Sequence, residues 1–146
     1  MNISQNTAPI RLTVPSDDLS VRDALLKIEN GLHSINAPDA VCGTAQMVLA
    51  EILNNVVEHA YASKDGEIEI TLSPKGDMLF CLISDAGEPM PNNTLPEGRG
   101  VQDDTDLMDL PEGGFGWLLI NEYARNLNYR RNNDKNILTF QLALSE

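Results

Sequence analysis

The order of elements in this sequence predicts an α+β fold. It should be a two-layer α/β sandwich, with a mixed, mostly antiparallel sheet and helices on one face. Three observations lead there. Strand patterns come in adjacent pairs, 67–72 with 78–83 and the stretch around Tyr129 with 137–144. Two helical periods separate the first strand from the first pair, and a third precedes the second pair. Strands joined by short turns pair antiparallel, whereas a doubly wound parallel sheet needs a helix between successive strands.

Residues 1–9 are polar, end at Pro9 and read as a loose tail. Residues 10–14 alternate apolar and polar and predict the first strand, stopped by Pro15. Ser16 or Asp17 can cap the next helix, and the acidic pair Asp17-Asp18 suits its positive end. Val21, Ala24, Leu25, Ile28 and Leu32 give that helix its period, which Asn36-Ala-Pro38 breaks. Asp39 opens a long second helix running to about Tyr61. Residues 63–66 make a turn, 67–72 alternate strictly, and 73–77 make a second turn. Residues 78–83 are continuously apolar and predict a central strand covered on both faces.

Residues 86–112 differ in kind. They hold four prolines and seven acids against a single cation, Arg99. A connection this long inside a compact domain is usually functional. A third helix is expected from Gly113, with Phe115, Leu118, Leu119, Tyr123 and Leu127 at helical spacing. Two strands around the turn 132–134 close the chain.

The 146 residues fit one domain, 1–146, able to bury roughly 68–70% of its unfolded surface. Ten Lys+Arg against 22 Asp+Glu leave a net charge of −12. Phosphate backbones need a basic footprint, so direct nucleic-acid binding is excluded as an expectation, and anionic membranes are disfavoured. Cys42 and Cys81 are far apart, in apolar contexts, and read as small core residues. The first residues show no secretory pattern, and no apolar run is judged to approach the roughly 18 residues that span a bilayer. A soluble cytoplasmic protein is the expectation.

Three stretches carry candidate chemistry. Along the second helix Val48, Leu49, Ile52, Leu53, Val56, Val57 and Ala60 share one face, while Asn54 and Glu58 are solvated. Glu51, Asn55 and His59 lie at i, i+4 and i+8, one stripe on the border of the buried face. That stripe is either a solubilising edge or the wall of a cleft. In a cleft, Asn55 offers a hard oxygen to Mg²⁺ and Glu51 a general base. The strand end Ser84-Asp85-Ala-Gly87 is either a plain turn or a carboxylate placed to accept from an exocyclic amine, with Gly87 admitting a flat ring. Gly113, Gly114 and Gly116 at a helix start are either a hinge or a cradle of open N–H groups for phosphate.

Taken together, Glu51-x3-Asn55-x3-His59-Ala60, Asp85-x-Gly87-x-Pro89 and Glu112-Gly-Gly-x-Gly116-x-x-Leu-Ile120 resemble the GHKL (Bergerat) ATP-binding superfamily. More narrowly they resemble the anti-sigma factor/serine-protein kinases of bacterial partner switching, over residues 10–144. The resemblance implies the Bergerat fold, ATP and Mg²⁺ as cofactors, Asn55 as metal ligand and Glu51 as catalytic base. It implies that Asp85 binds the adenine amine above Gly87 and that residues 88–112 form a lid. The nucleotide-facing set becomes Asn55, His59, Asp85, Gly87, Arg99, Gly113, Gly114, Phe115 and Gly116. The implied activity is ATP-dependent serine/threonine phosphorylation of an anti-anti-sigma (STAS-type) partner, which competes with a sigma factor for a homodimeric kinase.

Two departures stand beside this. The lid is strongly acidic, and Lys135-Asn136 precedes Ile137-Leu-Thr139 where the family often has Gly-Thr. The alternative is a non-catalytic module that sequesters a sigma factor or other regulator, with nucleotide structural or absent. A histidine-kinase catalytic domain fits less well, because His33 sits at a helix end.

Overall fold

A computed structural model describes residues 8–61, 64–90, 95 and 114–145. The elements are β1 (Ile10–Pro15), α1 (Asp18–Ser34), α2 (Asp39–Asn55), a π turn (Val56–Ala60), β2 (Glu67–Lys75), β3 (Met78–Asp85), α3 (Gly114–Tyr123), β4 (Arg125–Asn132) and β5 (Lys135–Ala143). The sheet runs β1-β2-β3-β5-β4. All four neighbouring pairs are antiparallel, so the expected two-layer α+β architecture has a sheet antiparallel throughout.

Alternation sets the core. Ile68, Ile70 and Leu72 of β2, Leu79, Cys81 and Ile83 of β3, and Leu138, Phe140 and Leu142 of β5 are buried. Against them lie Val21, Ala24, Ile28 and Leu32 of α1, the Val48/Leu49/Ile52/Leu53 face of α2, and Trp117 and Ile120 of α3. Asp17 caps α1, its carboxylate accepting from the Ser20 N–H and hydroxyl, both at 2.8 Å. Asn36 ends the α1 region at φ 64°, a left-handed conformation that asparagine tolerates.

Four expectations need correcting. Residues 78–83 are central but covered on one face only, since Phe80 is 37% exposed. An unbroken apolar run conceals which face packs, because both faces read alike. The second turn is shorter than 73–77: β2 continues through Pro74, which lies beyond the last β1 pairing at Leu72 and so need not donate to that neighbour. Leu127 belongs to β4, and among the described side chains of α3 the buried apolar ones are Trp117 and Ile120, with Tyr123 exposed. Finally, Asp39–Ala60 forms a helix of 22 residues that contains an 18-residue stretch of mean hydropathy 1.3, long and apolar enough by length and composition to cross a membrane. Here it is the central helix of the helical layer, packed on α1, α3 and the sheet.

The α2 helix does not end as a plain α-helix. At Val56–Ala60 it widens into a π turn, with the Tyr61 N–H donating to the Val56 carbonyl at 3.0 Å. Such single wide turns occur frequently at functional sites. Tyr61 then locks the helix end to the sheet. Its hydroxyl donates to the Glu67 carbonyl at 2.8 Å and accepts from the Ala86 N–H at 2.7 Å.

Candidate functional site

Two inward-facing columns of the sheet turn polar at the same end. Cys81 and Ile83 lead to Asp85 on β3; Phe140 and Leu138 lead to Asn136 on β5, and Asp85 and Asn136 are register partners. Both are only 6% exposed. A buried polar group is costly unless hydrogen-bonded. The two bond each other, the Asn136 Nδ2 donating to Asp85 Oδ1 at 2.8 Å. The Gly87 N–H donates to the same oxygen at 2.9 Å. Asp85 Oδ2 has no partner among the described residues. Burial pushes the Asp85 carboxyl above the ordinary 3.8, and the Asn136 and Gly87 N–H groups and the Arg131 charge oppose that rise.

A cavity opens beside this pair. Asn55, His59 and Ala60 line it from the helix, Ile83 and Asp85 from β3, and Trp117 from α3. Asn55 is half-buried, and its Nδ2 atom is buried without a hydrogen-bond partner among the described residues. Amide orientation is inferred from partners rather than seen, so either end of this carboxamide can face a ligand. His59 lies on the exposed rim. The wide turn between Asn55 and His59 carries an extra residue, so the i, i+4, i+8 stripe does not stay in phase.

Glu51 lies one turn from Asn55 and is not part of the cavity lining. Its carboxylate occupies the space left by the absent side chain of Gly116, in the first turn of α3, where an added Cβ would meet it. The first N–H groups of a helix lack internal partners, and a carboxylate beside them is favourably placed. Gly87 answers to a second close approach. A Cβ there would come within 2.6 Å of the Ala60 carbonyl carbon, and the neighbouring Glu88 N–H donates to the Ala60 oxygen at 2.8 Å.

The structure thus gathers Asn55, His59 and Asp85 around one cavity, with Gly87 beside it and Glu51 against Gly116. Gly114 and Phe115 open α3. Arg99, Gly113 and nearly all of the expected lid lie outside the described residues, as does most of the expected tail. Sequence reasoning gave no role to Asn136, Tyr129 or Arg131. The available signal was Asn136 itself, a polar residue continuing the inward column Leu142, Phe140, Leu138.

This α+β layout is shared with a known class. The profile of the histidine kinase-like ATPase domain matches residues 14–142, and the chain belongs to that family. Among curated proteins it is similar to the serine-protein kinase RsbW of Bacillus cereus, with 34% identity over 77 residues. It is equally similar to RsbW of Bacillus mycoides, again 34% identical over 77 residues. Each match covers 52% of this chain and 48% of the relative, so the chain spans about half the length of the curated relatives it matches. A solved structure of the RsbU and RsbW domains of Rv1364c from Mycobacterium tuberculosis superposes with a TM-score of 0.65 at 16% identity, covering 94% of this chain and 32% of that one. That likeness establishes the fold.

Proposed function

We propose that this domain is an ATP-dependent serine/threonine protein kinase and anti-sigma factor, acting on a small anti-anti-sigma partner of the STAS type. The observation that carries the nucleotide site is the buried Nδ2 of Asn55, without a hydrogen-bond partner among the described residues, on a side chain that lines the cavity with Asp85. A buried amide without a partner costs about 1–3 kcal/mol, a cost that a bound ligand removes. The oxygen end of the same carboxamide fits a hard cation held chiefly by substrate phosphates, the usual mode for Mg²⁺. Among the described residues no cluster of three His, Cys, Asp or Glu offers an alternative cage. Bound Mg·ATP supplies the phosphoryl group and neutralises its charge. The chain supplies Asn55 to the metal, Asp85 Oδ2 to an adenine amine, the first turn of α3 to phosphate oxygens, and Glu51 to accept the proton of the acceptor hydroxyl.

One observation favours a second reading. Glu51 rests against Gly116, outside the cavity lining, a placement equally suited to a nucleotide-binding switch that holds a regulator without turnover. A single variant separates the two. Glu51→Ala is expected to keep Mg·ATP affinity within about threefold and to lower phosphoryl transfer to the partner by about a hundredfold or more. Transfer from labelled ATP that persists unchanged in Glu51→Ala removes the proposed base. ATP binding with no transfer by the wild-type chain supports the switch.

The raised Asp85 carboxyl gives a pH dependence. An amine donor needs the ionised form, so binding favours loss of the proton and weakens as pH falls through the raised value. ATP affinity, normalised to Asp85→Asn to cancel phosphate titration, is expected to decline on acidification from a pH above the ordinary 3.8. Arg131 from β4 supplies the charge that opposes the rise, and Tyr61 from the helix end and Lys135 from β5 border the carboxyl. Titration from about pH 8 to about pH 5 checks it. A normalised profile that is flat, or that rises toward acid, contradicts amine recognition by Asp85.

A further inference from the structure

Asn136 is saturated. Its Oδ1 accepts from the Tyr129 hydroxyl at 2.5 Å and from Arg131 Nη1 at 2.9 Å, and its Nδ2 donates to Asp85 Oδ1 and to the Glu88 carbonyl, both at 2.8 Å. The two ends of a carboxamide are told apart only by their partners. Arginine has donors and no acceptor, so the end facing Arg131 must be the oxygen. Tyr129 agrees: its hydroxyl accepts from the Met90 N–H at 3.1 Å, which leaves its own proton for Asn136. The end facing Asp85 is therefore the NH₂ group.

This orientation propagates. Asp85 Oδ1 receives two N–H donors, from Gly87 and Asn136, which favour the ionised carboxylate. The cleft then meets the other oxygen, Oδ2, as an acceptor. An acceptor selects a ligand that donates. A purine with an exocyclic amine does so; a purine with a ring carbonyl at that place sets oxygen against oxygen. Without the Asn136 N–H and the Arg131 charge that holds it, the buried carboxyl more readily keeps a proton, and a proton on Oδ2 donates to the ring carbonyl.

We propose that Asn136, oriented by Arg131, is the positioning residue that sets this site's preference for an amino-purine over an oxo-purine nucleotide. The inference rests on the ATP reading above and adds a determinant to it. The same network also ties β4 and β5 to residues 87–90, because Arg131 Nη1 donates to the Gly87 carbonyl at 2.9 Å. A brace and a specificity device are separable: loss of a brace weakens all nucleotides together, whereas loss of the device changes their ratio.

The test measures Mg·ATP and Mg·ITP affinity by calorimetric titration of the full chain, for wild type, Asn136→Leu, Arg131→Met and Arg131→Lys. ITP differs from ATP by carrying the ring carbonyl in place of the amine. Wild type is expected to favour ATP by about tenfold or more. Asn136→Leu and Arg131→Met are expected to bring the ratio within about threefold, mainly through lost ATP affinity. Arg131→Lys, also a pure donor, should keep the wild-type preference. Arg131 is partly exposed, so its variants report even where Asn136→Leu folds poorly. The wild-type ratio retained in Arg131→Met, with or without weaker binding of both, overturns the proposal. Equal wild-type affinity for ATP and ITP overturns it while leaving the ATP site standing. Binding of neither nucleotide by wild type overturns both.

Discussion

Replacing Asn55 by alanine is expected to abolish Mg²⁺-dependent ATP binding without destabilising the fold. The two halves of that expectation come from the two ends of one carboxamide. Asn55 Nδ2 is buried with no hydrogen-bond partner among the described residues. Its burial costs the folded chain about 1–3 kcal/mol, and alanine removes the cost along with the group. Half-burial of the side chain limits the packing lost in exchange. Stability should therefore hold or rise by about 1 kcal/mol in a urea titration. Nucleotide affinity behaves oppositely. The proposed site has no acidic cage among the described residues, so one oxygen ligand matters disproportionately. A loss of about a hundredfold in Mg·ATP affinity is expected, with little change in the weaker binding measured with EDTA. Unaltered Mg·ATP affinity, or destabilisation beyond about 2 kcal/mol, contradicts this account of Asn55.

Gly87→Ala should damage folding and binding together. The added Cβ would lie 2.6 Å from the carbonyl carbon and 2.8 Å from the Cβ of Ala60. These are backbone and near-backbone atoms, which cannot swing aside. Residues 87–88 are also held by four hydrogen bonds: Gly87 N–H to Asp85, Arg131 to the Gly87 carbonyl, Glu88 N–H to Ala60, and Asn136 Nδ2 to the Glu88 carbonyl. Moving the segment strains all four. Overpacking of this kind costs about 1–3 kcal/mol. Since the Gly87 N–H helps to fix Asp85, ATP affinity is expected to fall by about tenfold or more. Gly43→Ala is the matched control. Gly43 is exposed within α2, and nothing lies within 4 Å of an added Cβ. That variant should gain about 0.5–1 kcal/mol from helix propensity. Paired thermal melts check both, and a Gly87→Ala chain as stable as Gly43→Ala removes the close-approach argument.

Much of the fold was legible because each element announces itself locally. The strict alternation of residues 67–72, the looser alternation of 137–144, the capping Asp17 and the break at Asn36-Ala-Pro38 all depend on neighbours a few residues away. What stayed hidden depends on packing between elements. In residues 78–83 every side chain is apolar, so the sequence carries no mark of which face meets the helices. The apolar residues of α3 spread around much of its circumference, and a periodic set one position out of register fits nearly as well. Leu127 extended that false period into what is an edge strand. Of the candidate site, the sequence held Glu51, Asn55 and Asp85 as a motif, and the fold brings Asn55 and Asp85 to one cavity. The contribution of β4 and β5 was not visible, since Asn136, Tyr129 and Arg131 acquire meaning only through the register that sets Asn136 opposite Asp85 and Arg131 opposite Asn136.

The wide turn at Val56–Ala60 divides the longest helix into two bodies with different attachments. Everything through Asn55, Glu51 included, takes its bearing from the core beneath α2. Everything after it takes its bearing from the sheet end, because the Ala60 carbonyl and the Tyr61 hydroxyl are fastened to Glu88, Ala86 and Glu67. One surplus residue of backbone therefore joins a half that carries the metal-ligand and base candidates to a half that frames the proposed ring-binding floor. Any rotation at that joint changes how far the two halves stand apart, and in doing so retunes the reach from Asp85 to Asn55.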